Sequence, residues 1–403
     1  MGGKSKITTR QVLATVSALL CLTALAVTGQ RTGEPVVWGP ILGAIGEEYV
    51  AVSWQMSRPV GIDLEYAMAD VYDDTQQWEE TLVFAPFEGV AEVRLGDLLP
   101  GTTYRYRLVV YEGDAVYRSP VGTFTTSGPN LRACSLLVYG DTWGDPERHR
   151  IVADAMASHE PGAVLLAHAG GLVEEAAPEA FSEFLQVLSR LAGSRPFVAV
   201  PGEAEHESAL YFDLLSLPSG GGPGDESWWS FDYGEVHLVG IDSSLTLGDV
   251  DQTLAREQAE WVRADLAGTN ARFKVVLLHH PIYSAAWEGG VNARLEEIWA
   301  SVFEEAGVDL VFSGRSGGYE HLYVGGIHYV VTSGGGAPLA EAPEEIAAGT
   351  VARRYGLLHY VRVTIAGTML RMEAIPVASF SEDGMLLVPS GRPIDAFTLI
   401  AGD

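Results

Sequence analysis

The chain has 403 residues, 47% hydrophobic and 19% charged, which gives enough apolar residue for two cored domains and too little charge for disorder. Its 25 Lys and Arg stand against 53 Asp and Glu, a formal net charge of -28, and lysine occurs only as Lys4, Lys6 and Lys274. Such a surface repels DNA, RNA and anionic lipid, whose capture depends on paired Lys and Arg, so nucleic-acid binding is not expected.

Lys4, Lys6 and Arg10 open the chain with positive charge, an apolar run follows from Val12 to Val27, and Ala24-Leu25-Ala26 has the small residues of a signal-peptidase site. The expectation is a signal peptide over 1–26 and an exported chain, whether secreted, periplasmic or at the cell surface. The run is short of the roughly 20 apolar residues of a spanning helix, and an uncleaved N-terminal anchor is the alternative. Nothing else reads as an integral membrane segment. Leu19 and Leu20 before Cys21 argue against lipid attachment. Once the leader is gone Cys134 is the single cysteine, so no intramolecular disulfide is expected.

From about Val36 to Thr126 the pattern is of short strands. Val50, Val52, Trp54 and Met56 alternate with smaller or polar residues, as do Ile62, Leu64, Tyr66 and Met68, and later Tyr104, Tyr106, Leu108 and Val110. Period-two alternation describes strands with one buried face. The turn Leu98-Leu99-Pro100-Gly101-Thr102-Thr103-Tyr104 resembles the corner of fibronectin type III-like sandwiches, where a leucine packs inward and Pro-Gly leads to an inward tyrosine. Ser127-Gly128-Pro129-Asn130 reads as a linker between an all-β domain over 34–127 and a second domain over 131–403.

Beyond the linker, strands alternate with helical spacing. Strands are expected at Ser135–Tyr139, Ala163–Ala167, Phe197–Val200, Val236–Ile241, Phe273–Leu278 and Leu310–Phe312. Helices are expected around Arg150–His159, Phe181–Leu191 and Gln252–Leu266, and strand alternation returns from Leu357 to Ile400. In α/β folds chemistry collects beyond the carboxyl ends of strands. Five such ends read Gly140-Asp141, Gly170-Gly171, Gly202-Glu203, His279-His280 and Gly314-Arg315.

In order, the segments Tyr139-Gly140-Asp141-Thr142, His168-Ala169-Gly170-Gly171, Pro201-Gly202-Glu203-Ala204-Glu205, Leu278-His279-His280-Pro281 and Ser313-Gly314-Arg315-Ser316-Gly317 resemble the five motifs of calcineurin-like metallophosphoesterases. The likeness is to purple acid phosphatase-like members with an N-terminal sandwich. It implies a fibronectin type III-like sandwich followed by a four-layer αββα domain. In that family two metals generate a hydroxide and clamp a phosphate ester, and active members read GD, GD, GNH(E/D), H and GHxH.

Carried over by position, the resemblance keeps carboxylate ligand Asp141 and histidine ligand His279. It puts Glu203 at the asparagine ligand, Gly171 at the metal-bridging aspartate, Ala204 at the substrate histidine, and Arg315 and Gly317 at the paired histidines. An alternative alignment with a two-residue insertion puts Glu205 at the asparagine and His206-Glu207 at the His-Glu pair. Glu174 stands where these phosphatases carry a metal-ligand tyrosine. Arginine has no lone pair to offer a metal and stays protonated; it is expected to neutralise Asp141 and Glu203 instead. Plainer readings exist: Asp141 capping the following helix or its turn, His279 a satisfied core or rim histidine, Glu203 and Glu205 solvated loop acids, and His168, His280 and His321 isolated packing or surface histidines.

The expectation is therefore an exported non-catalytic scaffold with no cofactor and a binding or structural role toward an unknown protein or anionic ligand. One alternative is a metal-dependent phosphomonoesterase or phosphodiesterase on a one- or two-metal site of Fe, Zn or Mn, built from Asp141, Glu203, His279 and, with the insertion, His206. Another is anion binding by Arg315 and His280 without hydrolysis.

Overall fold

The computed structural model describes residues 33–248, 252–380, 386–387 and 392–402. The expected signal peptide or anchor over 1–26 lies outside the described residues.

Strands Val36–Ile45, Val50–Met68, Glu80–Leu95, Thr103–Glu112, Ala115–Arg118 and Gly122–Thr125 form one six-stranded antiparallel unit. The alternating segments Val50–Met56 and Ile62–Met68 belong to a single 19-residue strand. Its first part pairs with Val36–Ile45 and its second with Thr103–Glu112, and register slips at Met56/Val60 and Val60/Ile62 separate the two. The buried alternation positions include Trp54, Tyr106 and Phe124, with Phe84 packed edge-on against Trp54 at 5.4 Å between ring centres. Leu98 and Tyr104 both turn inward, and the Tyr104 hydroxyl accepts the Leu99 N–H at 2.9 Å. The helix Ala69–Thr75 was not expected; it is polar and buries no residue.

From Ala133 onward the strands form two mixed sheets. One has eight strands, ordered Gly220–Gly221, Trp228–Tyr233, Val236–Ile241, Phe273–Leu278, Leu310–Ser313, Ile327–Thr332, Gly318–Val324 and Thr350–Tyr355. The other has seven: Leu386–Leu387, Met369–Phe380, Leu357–Ala366, Ala133–Tyr139, Leu165–His168 and Phe197–Ala199, with Asp395–Ile400 also on Met369–Phe380. In each sheet the strands that end at the motifs run parallel.

Period two sorts their side chains into layers. Val275, Leu277, Leu310 and Phe312 join a core with Leu136 and Val363 of the other sheet. Val276, Leu278 and Val311 pack instead with Val262, Trp299 and Phe303 from helices Thr253–Gly268 and Ala293–Ala306. Helices Pro146–His159 and Pro178–Ala192 lie against the seven-stranded sheet, where His149 and Phe184 meet Tyr139 and His168. The layers thus run helix, sheet, sheet, helix.

Pro178–Ala192 also touches the N-terminal unit. Tyr106 donates to the Gly193 carbonyl at 2.9 Å, and the Gly39 N–H donates to Ser189 Oγ at 2.8 Å.

Candidate functional site

The five motif ends meet in one cleft of about 590 Å³, lined by Asp141, Gly171, Glu203, His279, Arg315 and Gly317 together with the indoles of Trp143 and Trp287. Asp141 does not cap the helix that follows. Asp145 does so, accepting from Glu147 and Arg148 N–H at 3.1 and 3.2 Å ahead of Pro146. Asp141 is 2% exposed and accepts the Arg315 backbone N–H at 2.6 Å, so the first and fifth motifs are tied through a main-chain donor. Asp141 and Arg315 both have left-handed backbones, φ 57° and 70°, strain of the kind that collects at functional strand ends. Burial pushes the Asp141 carboxyl up; His279, Ser333 and the Arg315 N–H pull it back.

Glu203 is the hub. One oxygen, Oε2, faces His279 Nε2 at 2.9 Å; the other, Oε1, faces His280 Nε2 at 3.1 Å and pairs with the Arg315 guanidinium. His279 Nδ1 lies 3.0 Å from the Ala169 carbonyl, which only accepts, so both ring nitrogens of His279 donate and the ring is an imidazolium. Burial works against that charge, but Glu203 and Asp141 prevail and push its pKa up to about 9. His280 differs. Ser243 Oγ accepts the His280 backbone N–H at 3.0 Å and spends its own proton on Nδ1 at 2.9 Å, which leaves Nε2–H for Glu203. Burial, with His279 and Arg315 adding to it, pushes His280 down to about 4 despite Glu203, so it is neutral. Glu203 itself loses some solvation, but its two histidines hold it well below the usual carboxylate range.

The expected neutralisation by Arg315 is half realised. The guanidinium reaches Glu203 and lies 5.7 Å from the centre of the Trp287 ring, while Asp141 receives only the arginine's main chain.

Glu205 corrects the solvated-acid reading. It is fully buried and accepts three backbone N–H groups: Gly171 at 3.2 Å, Gly202 at 2.7 Å and Val173 at 2.9 Å. Burial raises its pKa and these donors offset part of the rise. The turn after Pro201 is thereby clamped to the second motif, and Ala204 faces the cleft. His206 points away, with Nδ1 2.5 Å from Asp242 Oδ2, and does not line the cleft; the insertion alignment would have put it there. Glu174 lies on the rim, exposed. His168 is packed among Tyr139, Phe184 and Phe197, and His321 bonds Asp395 and His328 elsewhere.

A pair of bridged metal ions does not fit these side chains. Gly171 offers no ligand, and a Cβ there would stand 2.4 Å from Asp141 Oδ1 and 3.1 Å from His279 Cε1 on a backbone at φ 70°, so the Asp141 carboxylate would have to turn aside. At Gly317 a Cβ would stand 2.8 Å from that of Ala340. Arg315 adds a fixed cation. Among the described residues one group has donor atoms close enough for a single ion, Glu203, His279 and His280, all within 4.8 Å. As bonded, both rings turn N–H groups toward Glu203 rather than the lone pairs a metal needs.

Sequence reasoning missed three participants, Ser243, Trp143 and Trp287. A hydroxyl that sets a histidine tautomer, and indoles brought in by loops, leave no periodic signal.

No family model matches the chain. It is 27% identical over 145 residues to an acid phosphatase of Aspergillus ficuum, covering 26% of this chain and 23% of that one. An uncharacterised protein of Mycobacterium tuberculosis is 25% identical over 346 residues, covering 73% of this chain and 63% of its own. The chain spans less than two thirds of the length of these curated relatives. Among solved structures, purple acid phosphatase PPD1 from yellow lupin (Lupinus luteus) seeds superposes with a TM-score of 0.70 at 15% identity, over 90% of this chain and 74% of that one. By architecture and motif order, the chain has the metallophosphoesterase-like fold of the purple acid phosphatases.

Proposed function

We propose that this chain is an exported, non-catalytic relative of the purple acid phosphatases that keeps their cleft for binding or structural work. One observation carries the reading: the position of the bridging carboxylate is a glycine walled in by Asp141 and His279. Beside it the Arg315 guanidinium is bonded to Glu203 where a ligand histidine is expected. Two dications held close together need a shared anion to be tolerable, and this site supplies a cation instead. Export rests on the leader-like 1–26 segment. The fibronectin type III-like reading of 34–127 draws support from inward Leu98 and the Tyr104 hydroxyl bond at the Pro-Gly turn.

The test is metal analysis of the purified chain, with hydrolysis of a generic phosphomonoester in added Fe, Zn or Mn. Folded, metal-free and inert protein is the expected result. Stoichiometric metal with turnover that chelation abolishes would overturn it and favour the second reading, a single-metal phosphoesterase on Glu203, His279 and His280. Their mutual proximity favours that reading; it requires His279 to release a proton and Arg315 to leave Glu203.

A further inference from the structure

The Glu203 carboxylate lies in a cradle that would suit an anion from outside. Three groups from two different motifs converge on it: Nε2 of His279, Nε2 of His280 and the Arg315 guanidinium. The two histidines are 2% exposed and held from behind, His279 by the Ala169 carbonyl and His280 by Ser243. Glu203 is different. Its side chain is 51% exposed, it sits at the head of the 203–207 turn, and among the described residues these donors are its only polar partners. The two histidine donors are fixed by burial and by the partners behind them, whereas Glu203 and Arg315 reach in from more exposed positions, 51% and 39% exposed.

We infer that His279, His280 and Arg315 form an oxyanion-binding site that Glu203 plugs in cis, and that a phosphate or carboxylate ligand binds by displacing the Glu203 side chain. The inference rests on the metal-free reading of the cleft and deepens it by naming the ligand chemistry. Charge-assisted donors left without an acceptor in a partly desolvated cleft are costly, and an incoming oxyanion satisfies them. The cleft, about 590 Å³, has room for a small oxyanion; His279 and Arg315 line it, and His280 meets it from behind through Glu203 Oε1. Asp141 does not compete for these donors: it holds the Arg315 main chain, and its nearer oxygen is 3.9 Å from His279 Nδ1.

The experiment is calorimetric titration of the full chain at pH 7 in excess chelator with inorganic phosphate and, separately, acetate. Glu203→Ala is expected to bind one or both anions about tenfold or more tighter than the unaltered chain, because the tethered competitor is gone. The larger gain identifies the oxyanion type. Glu203→Gln, which keeps the shape and loses the charge, is expected to show a smaller gain and serves if the alanine variant does not fold. Adding Arg315→Ala to Glu203→Ala is expected to remove the gain. Variants that bind no tighter than the unaltered chain, or a gain that survives loss of Arg315, would overturn the inference. A chain that hydrolyses esters with added metal yet shows the gain in chelator loses only the non-catalytic reading. An inert chain without the gain loses only this one.

Discussion

Placing aspartate at Gly171 tests most directly whether the cleft can accept a carboxylate at that position. The backbone there is left-handed at φ 70°, and a new Cβ would arrive 2.4 Å from Asp141 Oδ1, so the Asp141 carboxylate, whose Oδ2 accepts the Arg315 N–H, would have to turn aside. Gly171→Ala isolates these two effects. The conformation costs a β-carbon about 1–2 kcal/mol, and displacing the Asp141 carboxylate against its neighbours adds about 1–3 kcal/mol. Alanine is thus expected to destabilise by about 2–5 kcal/mol, a large share of the roughly 5–15 kcal/mol that holds a typical domain. Aspartate tolerates the backbone better but brings a third carboxylate beside Asp141 and Glu205, so Gly171→Asp is expected to be at least as damaging. Urea unfolding followed by tryptophan fluorescence, in chelator and again with Zn or Mn, measures both. A Gly171→Ala midpoint equal to that of the unaltered chain, or a Gly171→Asp variant of full stability with two bound metals, would refute the reasoning.

Three further outcomes follow from the electrostatics. His149, His168 and His359 are buried, and burial pushes His149 to about 3, His359 to about 4 and His168 well below its ordinary value. Unfolding lets them take up protons below about pH 6.5, so their stabilisation is complete above that pH and lost as pH falls below it. The slope is about 1.4 kcal/mol per pH unit for each histidine, and His149→Phe should flatten the curve measured by thermal melts between pH 4 and 7. His279 runs the other way: pushed up to about 9, it stabilises fully below about pH 6.5 and loses that contribution as pH rises toward 9. Glu203→Gln should remove most of this alkaline loss, read from urea midpoints at pH 6.5 and 9.5. Glu205→Gln sets an amide NH₂ among three backbone donors and should cost about 1–3 kcal/mol, seen as a lower urea midpoint. Equal midpoints would mean that the carboxylate is not the clamp described.

Much of the fold was legible because alternation and strand length are local. Val236–Ile241 and Phe273–Leu278 fall where the apolar runs put them. Val50–Met68 was legible only as two pieces, since the register slips near Val60 interrupt the alternation that marks a strand. Ala69–Thr75 buries nothing and so has no apolar period to read. At the site, motif order identified which strand ends meet, and the absence of side chains at Gly171 and Gly317 is plain in the residues themselves. Other features depend on three dimensions. Whether Gly171 is open or walled in depends on Asp141 and His279, far apart in sequence. Glu203 and Glu205 are alike as letters, yet one is a half-exposed hub and the other a buried clamp, because the turn after Pro201 folds one acid outward and the other under the second motif.

The helix Pro178–Ala192 spends its Phe181, Phe184, Leu185 and Leu188 on the phosphoesterase-like core, while Ser189 and the Gly193 carbonyl engage the N-terminal strands. A linker alone would let the two units melt independently. A shared helix couples them: unfolding either half strands polar groups or apolar surface of the other. The same helix therefore bears on both the sheet that carries Asp141 and the strands of the N-terminal unit.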